Sequence, residues 1–224
     1  MNPVNVYVCT PSVGLCRAVY TNSLVNLLQY FNLTAVYPET PTQQYSYHMV
    51  VGSGISAARE MMIEDALKDE SCTHVLFIDE DMGFAVDTLH TLLSKHQPIA
   101  VCNYRKRVPP ADFTAARHDL NGCIVTTPTS TGLEEAYYAG FGFALIERKV
   151  FEAVEAPRFL QRWNVARLEY TTEDMPFYHA AREAGFPCWI DHDASKKVWH
   201  VGDMSYFHDA DYSMLSSQRK IDPT

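Results

Sequence analysis

Thr73-His74-Val75-Leu76-Phe77-Ile78-Asp79-Glu80-Asp81 passes from an apolar run into three consecutive acids. A short run rich in β-branched and aromatic residues predicts a strand buried on both faces. Three like charges at the end of such a strand repel one another where a sheet meets a crevice. In open α/β sheets that crevice, beyond the carboxyl ends of the strands, is where ligands bind. Hard divalent cations prefer carboxylate oxygens, which makes Asp79 and Asp81 candidate metal ligands. The plainer alternative is a solvated acidic turn in which an Asp caps the next helix.

The flanking sequence has an alternating rhythm. Val4 to Cys9 is a first strand, almost wholly apolar, stopping at Thr10-Pro11-Ser12, whose hydroxyls are candidates to meet a nucleotide. Leu15 to Tyr30 has helical spacing (Val19, Leu24, Leu27, Leu28), and Leu33 to Tyr37 reads as a second strand. Pro38 to His48, polar with two prolines, reads as a loop. Ser53 or Ser56 is set to cap a helix with the stripe Ile55, Ala58, Met62 and Ala66. After the acidic run come a short helix (Val86 to Ser94) and a strand (Ile99 to Cys102). Beyond residue 103 the pattern is mixed. It holds a basic loop to His118, a short strand at Cys123 to Thr127 and a turn from Pro128 to Glu135. Tyr138 to Ile146 reads as a strand whose small residues imply close packing on something. A helix (Glu173 to Ala184), a strand (Pro187 to Asp191) and a short segment (Lys197 to Val201) follow. Alternation of strand and helix in the first hundred residues predicts a parallel sheet covered by helices.

Composition bounds the class. With 224 residues, the chain is long enough for one domain with a sizeable core and no need of disulfides. Hydrophobic residues at 47% and charged residues at 20% exclude wholesale disorder. A net charge of −9 disfavours non-specific binding to phosphate backbones or anionic membranes. There is no apolar run of membrane-spanning length and no signal peptide, so a cytoplasmic protein without a membrane anchor is expected. Six cysteines without a CxxC pair fit reduced thiols rather than a zinc or disulfide framework.

Several stretches, in order, resemble the family-2-type glycosyltransferases of bacteria and their phages, which have the GT-A nucleotide-sugar fold. Phe77 to Phe84 with Asp87-Thr88-Leu89 resembles that family's Asp-x-Asp segment and following helix. Cys102 to Pro110 resembles the strand and basic Pro loop that come next, and Gly140 to Ile146 the glycine-rich strand. Thr172-Glu173-Asp174 through Phe186 resembles the Glu-Asp helix, and Trp189 through His200-Val201-Gly202 the last strand and terminal His-x-Gly. Ala57-Ala58-Arg59 resembles the Arg-containing helix, with Glu60 where an Asn is usual. The resemblance covers about residues 4 to 202.

The resemblance implies a single-domain α/β GT-A fold with a mainly parallel mixed sheet over residues 1–202. Residues 203–224 would form a polar tail able to close as a lid. It implies transfer of a sugar from a nucleoside diphosphate sugar, a UDP-sugar in particular, to an acceptor hydroxyl on a glycan, protein or modified DNA base. Asp81 and His200 would ligate a divalent metal, with Asp79 on the ribose or a metal-bound water. A His among oxygens favours Mn²⁺ over Mg²⁺. Thr10, Pro11, Ser12, Arg59, Asp79, Glu80 and Asp81 would bind the donor. Asp174 would be the general base, with Glu173 its neighbour, although acids at a helix start are also ordinary capping chemistry. Arg105-Lys106-Arg107 would hold an anionic acceptor or be a solvated loop, and His208, Asp209 and Asp211 would be a second cluster or part of a polar tail. The rivals are a sugar nucleotidyltransferase and a non-catalytic nucleotide-sugar-binding module. The first calls for a glycine-rich basic signature after strand one, where Pro11 to Arg17 has one glycine and one arginine.

Overall fold

The computed structural model describes residues 4–35, 43–107, 111–118, 122–165, 168–202 and 205–206. In chain order its elements begin with β1 (Val4–Ser12), α1 (Ala18–Leu33), β2 (Gln43–Val51), α2 (Ile55–Lys68), β3 (His74–Ile78) and β4 (Met82–Phe84). Then come α3 (Thr88–Leu93), β5 (Ile99–Val101), β6 (Leu133–Ala136), β7 (Phe143–Glu147), α4 (Arg148–Ala153) and the β8 (Trp163–Asn164)/β9 (Glu169–Tyr170) pair. Last are α5 (Asp174–Glu183), β10 (Cys188–Asp191), α6 (His192–Ser195), β11 (Val198–Val201) and β12 (Ser205–Tyr206).

A seven-stranded sheet runs β2-β1-β3-β7-β5-β10-β6. Five of its strands point one way, and β7 and β6 oppose them, so the sheet is mixed but mainly parallel, as expected. Strand side chains alternate between two apolar layers. Val75 and Phe77 pack with Ala58, Met62 and Ile63 of α2 and Phe177 and Tyr178 of α5. Leu76 and Ile78 pack on the other face with Leu24, Leu27 and Phe31 of α1 and Leu89 of α3. Each such side chain, removed from water, contributes roughly 1.5–3 kcal/mol. Helices therefore cover both faces, and β1 and β3 lie between them.

Five expectations need correcting. Residues 43–51 form edge strand β2, in parallel register with β1, and are not a loop. An edge strand is half solvated, and its alternating partial burial lets Gln, Ser and His sit in it. The strand expected at Leu33 to Tyr37 is absent over its described part: Leu33 ends α1, and residues 36–37 lie outside the described residues. Cys123 to Thr127 makes only an isolated bridge from Cys123 to Ala116, and Leu133–Ala136 is a strand rather than a turn. Gly54, not Ser53 or Ser56, precedes α2, with no side-chain cap bond.

A second sheet, β12-β11-β4, sits at the end of β3. Its register pairs Trp199 with Gly83 and His200 with Met82. A side chain at Gly83 would overlap the Trp199 indole, so glycine is what lets β11 come this close. Of residues 203–224 only Ser205–Tyr206 is described, paired with β11; His208, Asp209 and Asp211 lie outside the described residues. No described helix is long and apolar enough to cross a membrane.

The small residues of the 138–146 stretch have a specific partner. Gly142 N–H donates to the Tyr104 hydroxyl at 2.8 Å, and a Cβ at Gly140 or Gly142 would overlap that hydroxyl. Gly142→Ala is therefore expected to cost about 1–3 kcal/mol, as overpacking of a dense interior does. Urea unfolding would check this, and an unchanged midpoint would show that Tyr104 moves aside freely.

Candidate functional site

The turn 79–81 leaves β3 beside the end of β1, and the two ends are tied together. Ser12 Oγ donates to Glu80, Val13 N–H donates to Glu80 Oε1 at 3.0 Å, and Arg17 N–H donates to the Glu80 carbonyl at 3.2 Å. Between these ends opens a cleft of about 600 Å³, with Pro11, Ser12, Asp79, Glu80, Asp81 and His200 in its walls. This is the crevice beyond the carboxyl ends of the strands, where the sheet rule puts a ligand.

His200 arrives on β11. Val201 N–H donates to the Asp81 carbonyl at 2.7 Å, and His200 Nε2 lies 3.2 Å from Asp81 Oδ2. On its other side Nδ1 is 3.1 Å from the Arg105 carbonyl, and the ring meets Tyr104 edge-on at 5.4 Å. A carbonyl can only accept, so Nδ1 carries a proton. That leaves Nε2, the nitrogen facing Asp81 Oδ2, as the one able to ligate an ion. A nitrogen fixed from behind by a carbonyl is the arrangement metal-binding histidines use. Asp81 and His200 therefore suit a divalent ion. Asp79 does not complete a triad: its Oδ1 pairs with Arg59 at 3.0 Å, and no cluster of three ligating groups is assembled among the described residues.

Asp81 is 14% exposed and Arg107 Nη1 reaches its Oδ2 at 2.5 Å. Burial alone would raise the Asp81 carboxyl, but the His200 hydrogen bond and charge, with Arg107, outweigh it and hold the group below its ordinary range.

Arg59 takes a place other than the one expected. Its side chain is 1% exposed, beneath the cleft rather than in its wall, stacked over Phe141 at 4.9 Å. Three carboxylates surround it: Asp79 at 3.0 Å, Glu173 at 2.6 Å and Asp174 at 3.1 Å. One guanidinium thus joins the acidic turn of β3 to the start of α5, whose Asp174 is 115 residues from Arg59 along the chain. Burial opposes its charge, but the three acids more than compensate and hold it firmly protonated. Three acids on one cation leave an excess of negative charge. Burial, only partly offset by Arg59 and reinforced by Glu173 and Asp79, holds the Asp174 carboxyl well above the ordinary carboxylate range. Asp79 is raised too, by burial against the pull of Arg59. Glu173 and Asp174 do start α5, but no side-chain cap bond is made there, and they face Arg59.

Thr10 stands apart. It is fully buried, and its hydroxyl is 2.5 Å from that of Tyr20, inside the core layer. The structure thus brings together Pro11, Ser12, Asp79, Glu80, Asp81 and His200, with Arg59, Glu173 and Asp174 joined beneath them, and leaves Thr10 out. Sequence reading missed Tyr104 and the contact of Arg107 with Asp81. The only trace of the first was the glycine-rich stretch that makes room for it.

No protein-family model matches the sequence, and no curated protein matches it. Among solved structures, the crystal structure of A197 from STIV matches with a TM-score of 0.58 at 14% identity, covering 92% of this chain and 95% of that one. That likeness shows a shared fold over nearly the whole chain. The crystal structure of GalNAc-T7 with UDP, GalNAc and Mn²⁺ matches with a TM-score of 0.47 at 12% identity, over 90% of this chain and 44% of that one. The second likeness is too distant for any argument to rest on it.

Proposed function

We propose that this chain is a metal-dependent glycosyltransferase of the GT-A type, with residues 1–202 as its catalytic unit. It takes a nucleoside diphosphate sugar, a UDP-sugar, and passes the sugar to an acceptor hydroxyl on a glycan, protein or modified DNA base. The observation that carries this reading is the convergence of Asp81 and His200, more than a hundred residues apart, on one cleft at the strand ends.

Asp81 and His200 would hold a divalent cation, Mn²⁺ in preference to Mg²⁺, since an imidazole joins the oxygen donors. When bound, that ion supplies charge neutralisation for a departing diphosphate. Asp79, fixed by Arg59, contacts the donor's ribose. Pro11 and Ser12 line the donor side, and Glu80 keeps the β1 and β3 ends together through Ser12 and Val13. Asp174 takes the acceptor's hydroxyl proton onto a carboxylate oxygen. Burial raises its proton affinity, the direction in which a carboxylate becomes a stronger base. Arg59 orients that carboxylate without touching the donor.

A thermal-shift panel of UDP, GDP, CMP, dTDP and ADP, with and without Mn²⁺, tests the reading. Ligand at about 100 times its dissociation constant stabilises the fold by roughly 2.7 kcal/mol, a rise of several degrees at this size. One nucleoside diphosphate is expected to give that rise only with Mn²⁺, and Asp81→Ala to abolish both the rise and donor hydrolysis. A folded wild type that responds to no nucleotide would sink the reading. Donor binding without hydrolysis by wild type would favour the non-catalytic module.

A further inference from the structure

The basic triplet 105–107 divides its labour. Arg105 is built into its own loop: Nη1 donates to the Ala111 carbonyl at 3.2 Å, and its guanidinium lies over the Phe113 ring at 4.6 Å. Lys106 N–H is tied to the Asp112 carbonyl at 2.8 Å, which closes the loop's base. Arg107 reaches the other way, into the cleft, and its guanidinium sits on Asp81 Oδ2, the oxygen that His200 Nε2 also faces. Its side chain is 52% exposed, whereas Asp81 is 14% exposed, so the mobile partner of this pair is the arginine.

We propose that Arg107 is a built-in placeholder for the metal, holding Asp81 in the ligand-free protein and moving to the donor's diphosphate when a divalent cation takes Asp81. This rests on the donor reading above. Two cations cannot share one carboxylate oxygen without strong mutual repulsion, so an ion at Asp81 displaces the guanidinium. The displaced group stays at the cleft wall, beside the place of a diphosphate, and a guanidinium fork matches phosphate oxygens in pairs. Before ligand arrives, Arg107 screens the repulsion among Asp79, Glu80 and Asp81 and keeps the turn in its ligand-ready shape. The cost is a weaker affinity for the metal alone. The gain is tight metal binding only when a diphosphate is present to receive the arginine.

The consequence is a reversal of sign that a merely structural arginine would not produce. In Arg107→Ala, Mn²⁺ without nucleotide, titrated by the electron paramagnetic resonance of the free ion, is expected to bind about fivefold more tightly. That matches about 1 kcal/mol for loss of a half-exposed ion pair. With Mn²⁺ saturating, UDP (or whichever diphosphate of the panel wild type binds) is expected to bind the variant roughly tenfold more weakly by calorimetry. Arg107→Lys, which keeps the charge without the fork, is expected to fall between wild type and Arg107→Ala in both titrations. Adding Asp81→Asn to Arg107→Ala must erase the gain in Mn²⁺ affinity. Unchanged or weaker Mn²⁺ binding by folded Arg107→Ala, or an unchanged diphosphate affinity, overturns the proposal. So does a gain in Mn²⁺ affinity that survives Asp81→Asn. If wild type binds no diphosphate, the donor reading itself fails; the Mn²⁺ titration still reports separately on competition at Asp81.

Discussion

Arg59→Met is expected to remove about 3–5 kcal/mol of stability, because it leaves three partly buried carboxylates facing one another with no cation between them. Methionine fills much of the same volume, so the loss is electrostatic more than a cavity effect. Lysine should rescue only part of it, since a single ammonium cannot reach acids that the guanidinium meets on separate nitrogens: Nη2 for Asp79, Nη1 for Glu173 and Asp174. The loss has a pH signature with a definite sign. Asp174 and Asp79 already bind protons more tightly in the fold than in the unfolded chain, and removing Arg59 tightens that hold. A raised folded-state pKa contributes stability that is complete below the unfolded pKa and is lost as pH rises through the folded one. The deficit of Arg59→Met should therefore be smallest in acid and grow toward neutral pH. Urea unfolding at pH 5 and pH 8 would measure it, and a loss below about 1 kcal/mol at pH 8 would mean that the cluster is not the keystone described.

Asp174→Asn is expected to lower turnover by about 10²- to 10⁴-fold, the range general-base removal usually gives, while leaving donor binding nearly intact. Asparagine keeps the shape and can still meet Arg59 through its carbonyl oxygen, so folding should survive. Only ionised Asp174 accepts a proton. In wild type, kcat/KM should climb as pH rises through the elevated pKa of this carboxyl, and the climb should vanish in Asp174→Asn. Release of nucleoside diphosphate as a function of pH reads both. A variant within threefold of wild type would remove Asp174 from the base role, leaving it as a brace for Arg59 alone.

The first half of the fold was legible because its strands are buried on both sides and so look like strands: Val4 to Cys9 and His74 to Ile78 need no context. Edge strand β2 was not, because polar Gln, Ser and His are interspersed along it and no residue of it is fully buried, so its composition speaks of a loop rather than of backbone pairing. α4 was missed because its six residues make less than two turns, too brief for a period to show. At the site, the residue types were readable and their partners were not. Asp79, Asp81, His200 and Asp174 stood out by chemistry, but nothing local says that Arg59 would turn inward to three acids or that Thr10 would spend its hydroxyl on Tyr20. The first is a long-range choice, made where α2, β3 and α5 meet, and the second is made where β1 packs on α1. The close packing expected of residues 138–146 was a correct sign whose object, Tyr104, had to be seen.

The hydrogen-bonded ladder between β4 and β11 carries a further meaning for the life of the chain. A protein made from its N-terminus on the ribosome completes its early strands first. The acid turn after β3 would then emerge with α1 and α2 already beside it, while its imidazole partner is still unsynthesised. Only once residue 201 has cleared the exit tunnel can Trp199 settle over Gly83 and His200 close on Asp81. The cleft is thus completed by β11, near the end of the described chain, and an unfinished polypeptide, however well folded its sheet, lacks one side of the site.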